Sequence, residues 1–201
     1  MLGNPVLDII INILENTTCC LDGESGADRV ECTYDGRAYT LWNANYLLGQ
    51  IIRQYRIPES NFYISKRAQE LWHQISDDDT WNYSYRSKII VQNKATVITY
   101  KGASSDGEQV TLGVGGNFVF NDVFHDEHIV PINVIIKKLK SLESYNYENV
   151  SQILDQICVC RMLKEEDRRI KEKSKRPCDV KIVVDEIYAK YGIEIVEREG
   201  K

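Results

Sequence analysis

The sequence predicts an α+β fold: N-terminal helices, a central antiparallel meander of about four strands, and C-terminal helices. Two observations carry this expectation. Apolar residues recur at helical spacing before residue 80 and again after Pro131, whereas between Ser87 and Phe124 the period drops to two. With 201 residues, 43% of them apolar and 27% charged, the chain can bury one sizeable core. A single domain over 1–201 is therefore predicted, with 1–80 mainly helical and 81–201 carrying the strands and then helices.

Asn4-Pro5 supplies an N-cap and a first-turn proline, and apolar residues at 6, 7, 10, 13 and 14 predict a helix from Pro5 to Glu15. Residues 17–37 are rich in Gly, Asp, Thr and Cys and read as a loop with one short strand near Val30 to Tyr34. Leu41, Leu47, Leu48, Ile51, Ile52 and Tyr55 mark a second helix that must end before Pro58. Ser65 caps a third, with Ala68, Leu71, Trp72 and Ile75 on one stripe and His73 beside it as an ordinary surface imidazole. Trp72, Trp81, Tyr83 and Tyr85 read as packing rather than as a base-stacking platform.

Lys88–Val91, Thr96–Tyr100, Val110–Val114 and Phe118–Phe120 are rich in β-branched and aromatic residues, and Asn93-Lys94, Asp106-Gly107 and Gly115-Gly116-Asn117 between them are turn signals. Ile132, Ile135, Ile136 and Leu139 predict a helix after Pro131, opposite Lys137, Lys138 and Lys140. A longer helix is predicted from Tyr147 to about Lys171, broken by Lys175-Arg176-Pro177. A last helix runs from about Asp179 to Lys190 and ends at Gly192, and Ile193 to Val196 adds a short strand.

The net charge of -5 argues against a dedicated nucleic-acid binder with a broad positive face. Residues 1–80 hold 6 basic and 12 acidic side chains, whereas Arg161 to Lys181 holds 9 basic and 5 acidic. That segment, with Lys137, Lys138 and Lys140, is the candidate phosphate path, and Arg161, Arg168 and Arg169 are its candidate contacts. The six cysteines (19, 20, 32, 158, 160, 178) form no Cys-x-x-Cys pair. They are expected to be reduced structural thiols in a cytoplasmic protein, since the run Val6 to Leu14 has the flanks of neither a signal peptide nor a membrane span.

His125-Asp126-Glu127-His128 is the one pointed segment: two of the three histidines with two carboxylates, directly after a predicted strand and before a proline-started helix. Imidazole and carboxylate suit a divalent ion such as Mn or Zn, and carboxylates alone suit Mg. A histidine beside such an ion can act as general base on a water attacking phosphorus.

Glu127-His128-Ile129-Val130-Pro131 resembles the acidic-His-aliphatic-aliphatic-Pro opening of the HNH, or ββα-metal, nucleases. The resemblance implies Glu127 as metal ligand, His128 as general base and a downstream asparagine that orients it. Asn149 is the best placed of these, ahead of Asn146 and Asn133. His125 and Asp126 would complete the ligand set. The expected function is then divalent-metal-dependent hydrolysis of phosphodiester bonds in DNA or RNA. The alternative is a non-catalytic interaction protein, of the kind a phage or mobile element encodes, binding a protein partner through an acidic surface. In neither case is a membrane the partner.

Overall fold

The computed structural model describes residues 4–16, 29–34, 37–42, 44–84, 86–90, 97–103, 109–115, 117–173 and 176–197. In chain order the elements are α1 (Pro5–Asn16), β1 (Arg29–Tyr34), β2 (Arg37–Trp42), α2 (Ala44–Ile52), β3 (Phe62–Ser65), α3 (Lys66–His73), β4 (Lys88–Ile90), β5 (Val97–Ala103), β6 (Gln109–Gly115) and β7 (Asn117–Val119). There follow α4 (Phe120–Val123), β8 (Phe124–His128), α5 (Ile132–Lys140), α6 (Tyr147–Leu154), β9 (Val159–Leu163), α7 (Lys164–Arg169), α8 (Val180–Ile182), a π-helical stretch (Val183–Tyr188) and β10 (Ile195–Glu197). The mixed α+β class is thus present. No helix among the described residues is long and apolar enough to cross a membrane.

The chain divides into two compact units, residues 1–58 with 131–157 and residues 59–130 with 158–201. In the first, α1 packs on α2 and α6, and α5 on α2 and α6. The apolar stripes legible in the sequence are what these helices bury: Leu7, Ile10 and Leu14 of α1, Leu48 and Ile52 of α2, Ile135 and Leu139 of α5, Val150 and Leu154 of α6. Asn4 caps α1 through the Val6 N–H at 3.1 Å. α2 faces Ile132 and Ile136 of α5 at Gly49, where a Cβ would lie 3.6 Å from both Ile132 Cγ2 and Ile136 Cδ1, at ordinary van der Waals contact. The strand expected near Val30 is β1, paired antiparallel with β2, which the sequence reading had assigned to loop and helix start.

The second unit is built on a mixed sheet in the order β10-β3-β9-β8, in which β3 and β9 run parallel and the other pairs antiparallel. Strand alternation gives it two differently furnished faces. On one, Ile64, Leu163 and Phe124 pack with Ala68, Leu71 and Trp72 of α3 and Phe120 of α4. On the other, Cys160, Met162 and Ile129 pack with Ile170, Val183, Tyr188 and Ile193. Trp72 is fully within the first core, edge-on to Phe120 and Phe124 at 5.7 Å, so the packing role expected of it holds. Tyr85 lies outside the described residues.

Two expectations need correction. The four strands expected between Ser87 and Phe124 are present and pair antiparallel, but not as a continuous meander: β4 pairs with β7 and β5 with β6, one pair nested in the other. The predicted Tyr147–Lys171 helix is interrupted as well. It stops at Leu154, gives way to β9, and resumes as the short α7. Strand β9 lies between β3 and β8 and is buried along its whole length, so its apolar residues are needed on two faces at once. Cys158 and Cys160 are free buried thiols and Cys178 a free exposed one, while Cys19, Cys20 and Cys32 lie outside the described side chains.

Candidate metal centre

Strand β8 supplies two side chains to one face of the second unit's sheet. His125 and Glu127 are two residues apart in extended backbone and therefore point the same way, with His125 Nε2 3.5 Å from Glu127 Oε2. Asp167, from α7, meets them: its Oδ1 lies 3.8 Å from His125 Nε2. Donor atoms of His125, Glu127 and Asp167 all fall within 4.8 Å of one another, a grouping of ligand-type side chains found once among the described residues. Two carboxylates and an imidazole at that separation can converge on one divalent ion.

Two cations from the segment after α7 also reach the cluster. Arg176, 2% exposed at its side chain, pairs with Glu127 Oε1 and donates to the Tyr188 hydroxyl at 3.3 Å and the Lys173 carbonyl at 3.3 Å. Lys173 Nζ lies 2.6 Å from Asp167 Oδ1. Burial opposes ionisation of Glu127, but the hydrogen bond from His125 and the charge and hydrogen bond of Arg176 outweigh it and hold the carboxyl well below its ordinary range. His125 moves the other way. Its hydrogen bond to Glu127 raises it above the ordinary imidazole value, against partial burial and the charge of Lys173, with the charges of Asp167 and Glu127 adding to the rise.

Asp126 faces the opposite side of β8. It accepts two hydrogen bonds from Arg161, at 2.7 Å from Nε and 2.9 Å from Nη2. It is thus parted from His125 and Glu127 by the alternation of the strand and is not a ligand with them. Arg161, named above as a phosphate contact, is buried. Its guanidinium stacks over Trp81 at 4.0 Å and donates to the carbonyls of Thr80 and Tyr83, which leaves it no access to a phosphate. His128, next in the strand after Glu127, also falls on the face opposite it, so the ligand and base of the HNH resemblance do not share a side of β8.

Asn149 lies in the other compact unit, on α6, and its carboxamide donates to Ser144 Oγ at 3.0 Å and to the Ser144 carbonyl at 3.3 Å. Lys137, Lys138 and Lys140 are on α5 in that same unit, Lys138 bonded to Gln156 Oε1 at 2.7 Å. Arg168 is exposed on α7, whereas Arg169 donates to the Tyr191 carbonyl and lies near Glu165 and Glu166.

Sequence reasoning missed Asp167, Lys173 and Arg176. The signal was the triplet Glu165-Glu166-Asp167 followed by Lys173 and Arg176, but assigning this stretch to a solvated helix hid it. All three acids are in fact largely buried. Comparison with protein-family models, characterised proteins and solved structures gives no match.

Proposed function

We propose that the chain is a divalent-metal-dependent nuclease that holds its ion between His125, Glu127 and Asp167 of the second unit. The convergence of these three donor groups within 4.8 Å supports this reading. A divalent ion in such a site supplies charge neutralisation at a phosphoryl oxygen and a more acidic water. The ligand set departs from the HNH resemblance: Asp167 takes the place of Asp126, and His128 lies on the opposite face of β8. Arg168, exposed on the same helix as Asp167, remains the candidate phosphate contact in this reading.

The ion pairs of Glu127 with Arg176 and of Asp167 with Lys173 favour a second reading. They balance both carboxylates with protein cations, as in a structural network of a non-catalytic protein that binds another protein. Metal titration separates the two. The nuclease reading expects Mn²⁺ binding, cleavage of DNA or RNA with Mg²⁺, Mn²⁺ or Zn²⁺, and loss of both in His125→Ala and Asp167→Asn without loss of fold. Wild-type protein that binds none of these ions and leaves both nucleic acids intact returns the cluster to the structural role.

A further inference from the structure

The two protein cations at the cluster do not engage it in the same way, and the difference lies in which oxygen each one uses. Arg176 pairs with Glu127 Oε1, whereas the oxygen facing His125 is Oε2. The bond to Arg176 therefore leaves the ligand-facing oxygen open. Lys173 instead sits 2.6 Å from Asp167 Oδ1, the same oxygen that lies 3.8 Å from His125 Nε2. Its positive charge is also felt at both His125 and Glu127. A divalent ion bound to His125, Glu127 Oε2 and Asp167 Oδ1 would share that last oxygen with an ammonium group, and two cations that close repel strongly.

The two side chains also differ in how easily they leave. Arg176 is 2% exposed and held by Tyr188 and the Lys173 carbonyl besides Glu127. Lys173 is 43% exposed, and its flexible stem can carry the ammonium into water at small cost.

We propose that Lys173 is a displaceable internal counter-ion of the metal site: a divalent cation binds by driving its ammonium off Asp167 Oδ1, while Arg176 stays on Glu127 Oε1. Metal occupancy is thereby set by competition with the protein's own cation, and the released ammonium is left beside the site, where an anionic substrate arrives. This rests on the metal-site reading above.

The test is titration with Mn²⁺ alone, by calorimetry at fixed pH and ionic strength, of wild type, Lys173→Met and Lys171→Met. Lys171 is exposed and loses the same charge, so it controls for the general field. Lys173→Met is expected to bind Mn²⁺ about two- to fivefold more tightly than wild type, the scale of one partly exposed ion pair, and Lys171→Met to stay near wild type. Binding seen only in Lys173→Met overturns the proposal, since the wild-type ammonium is then not displaced by the ion. Wild-type binding that Lys173→Met leaves unchanged or weakens overturns the counter-ion and spares the metal site, as does equal tightening in both variants. Absence of binding in all three proteins overturns both. Melting curves confirm that each variant is folded.

Discussion

Removing Arg176 would leave the Glu127 carboxylate buried with only His125 and the more distant Lys173 to balance it. Breaking a buried pair from one side strands a charge, so Arg176→Met is expected to cost about 3–5 kcal/mol, read as a shift in the urea midpoint. Adding Glu127→Gln should recover part of that loss, because the stranded charge is then gone. The same cluster gives stability a pH dependence of known sign. His125 has a raised folded value, so its contribution is complete below the unfolded imidazole value of about 6.5 and fades as pH rises through the folded value. Glu127, depressed, contributes above the ordinary carboxylate range and fails only in acid. The melting temperature of wild type should therefore fall as pH is raised from about 6.5 through the folded value of His125, and His125→Gln should flatten that slope. A slope unchanged in His125→Gln would place the titrating group elsewhere.

At the scale of elements, the junction of β3 with α3 is held by one hydroxyl doing two jobs. Ser65 accepts from the Ala68 N–H at 3.2 Å as the cap of α3 and donates to Glu166 Oε2 at 2.6 Å, while the Leu163 N–H reaches the same oxygen at 2.9 Å. Burial raises Glu166 above the ordinary carboxyl range, opposed by these two hydrogen bonds. Ser65→Ala should thus cost about 2–4 kcal/mol, a cap and a buried hydrogen bond together. Glu166→Gln, whose amide oxygen can still accept both bonds, should cost about 1 kcal/mol or less. Urea unfolding of the two variants reports the difference.

The cap at Ser65 was legible because a capping serine before an apolar stripe is a local signal. Strand β9 was not. Val159-Cys160-Arg161-Met162-Leu163 has apolar residues in phase with those of α6 and none of the alternation of a half-buried strand. Its position between two neighbours is a tertiary fact that no local window contains. Mistaking it for helix also hid Arg161 and Asp167: the first looked like surface charge, and the second lost its place at the turn beside β8. Likewise the nested strand pairs have the period of a meander, and only pairing partners distinguish the two.

At the scale of the whole molecule, what the sequence could show was class and local elements: α1, α2, α3 and α5 stand close to where their stripes predict, and Gly192, at φ 65, ends the last helical stretch. What it could not show was assembly. Neither the division into two units nor the sheet order follows from patterns that extend over a few turns. The candidate site shares this fate, since two of its three members adjoin in β8 and the third arrives from α7.

The mixed sheet has a consequence for how the chain reaches its native state. Phe62 pairs with Val159 and Ser65 with Ile195, so two of its three pairings close loops that span a large part of the chain. The entropy lost in such closures comes before the contacts that reward it, which slows folding and raises relative contact order. The first unit also contains the stretch 131–157, which both leaves and re-enters the second, so neither unit is a continuous piece of chain able to fold ahead of the other. His125, Glu127 and Asp167 meet once β8 and β9 have come into register, the shortest-range of the three pairings, so the candidate site depends on the part of the sheet that this entropic cost delays least.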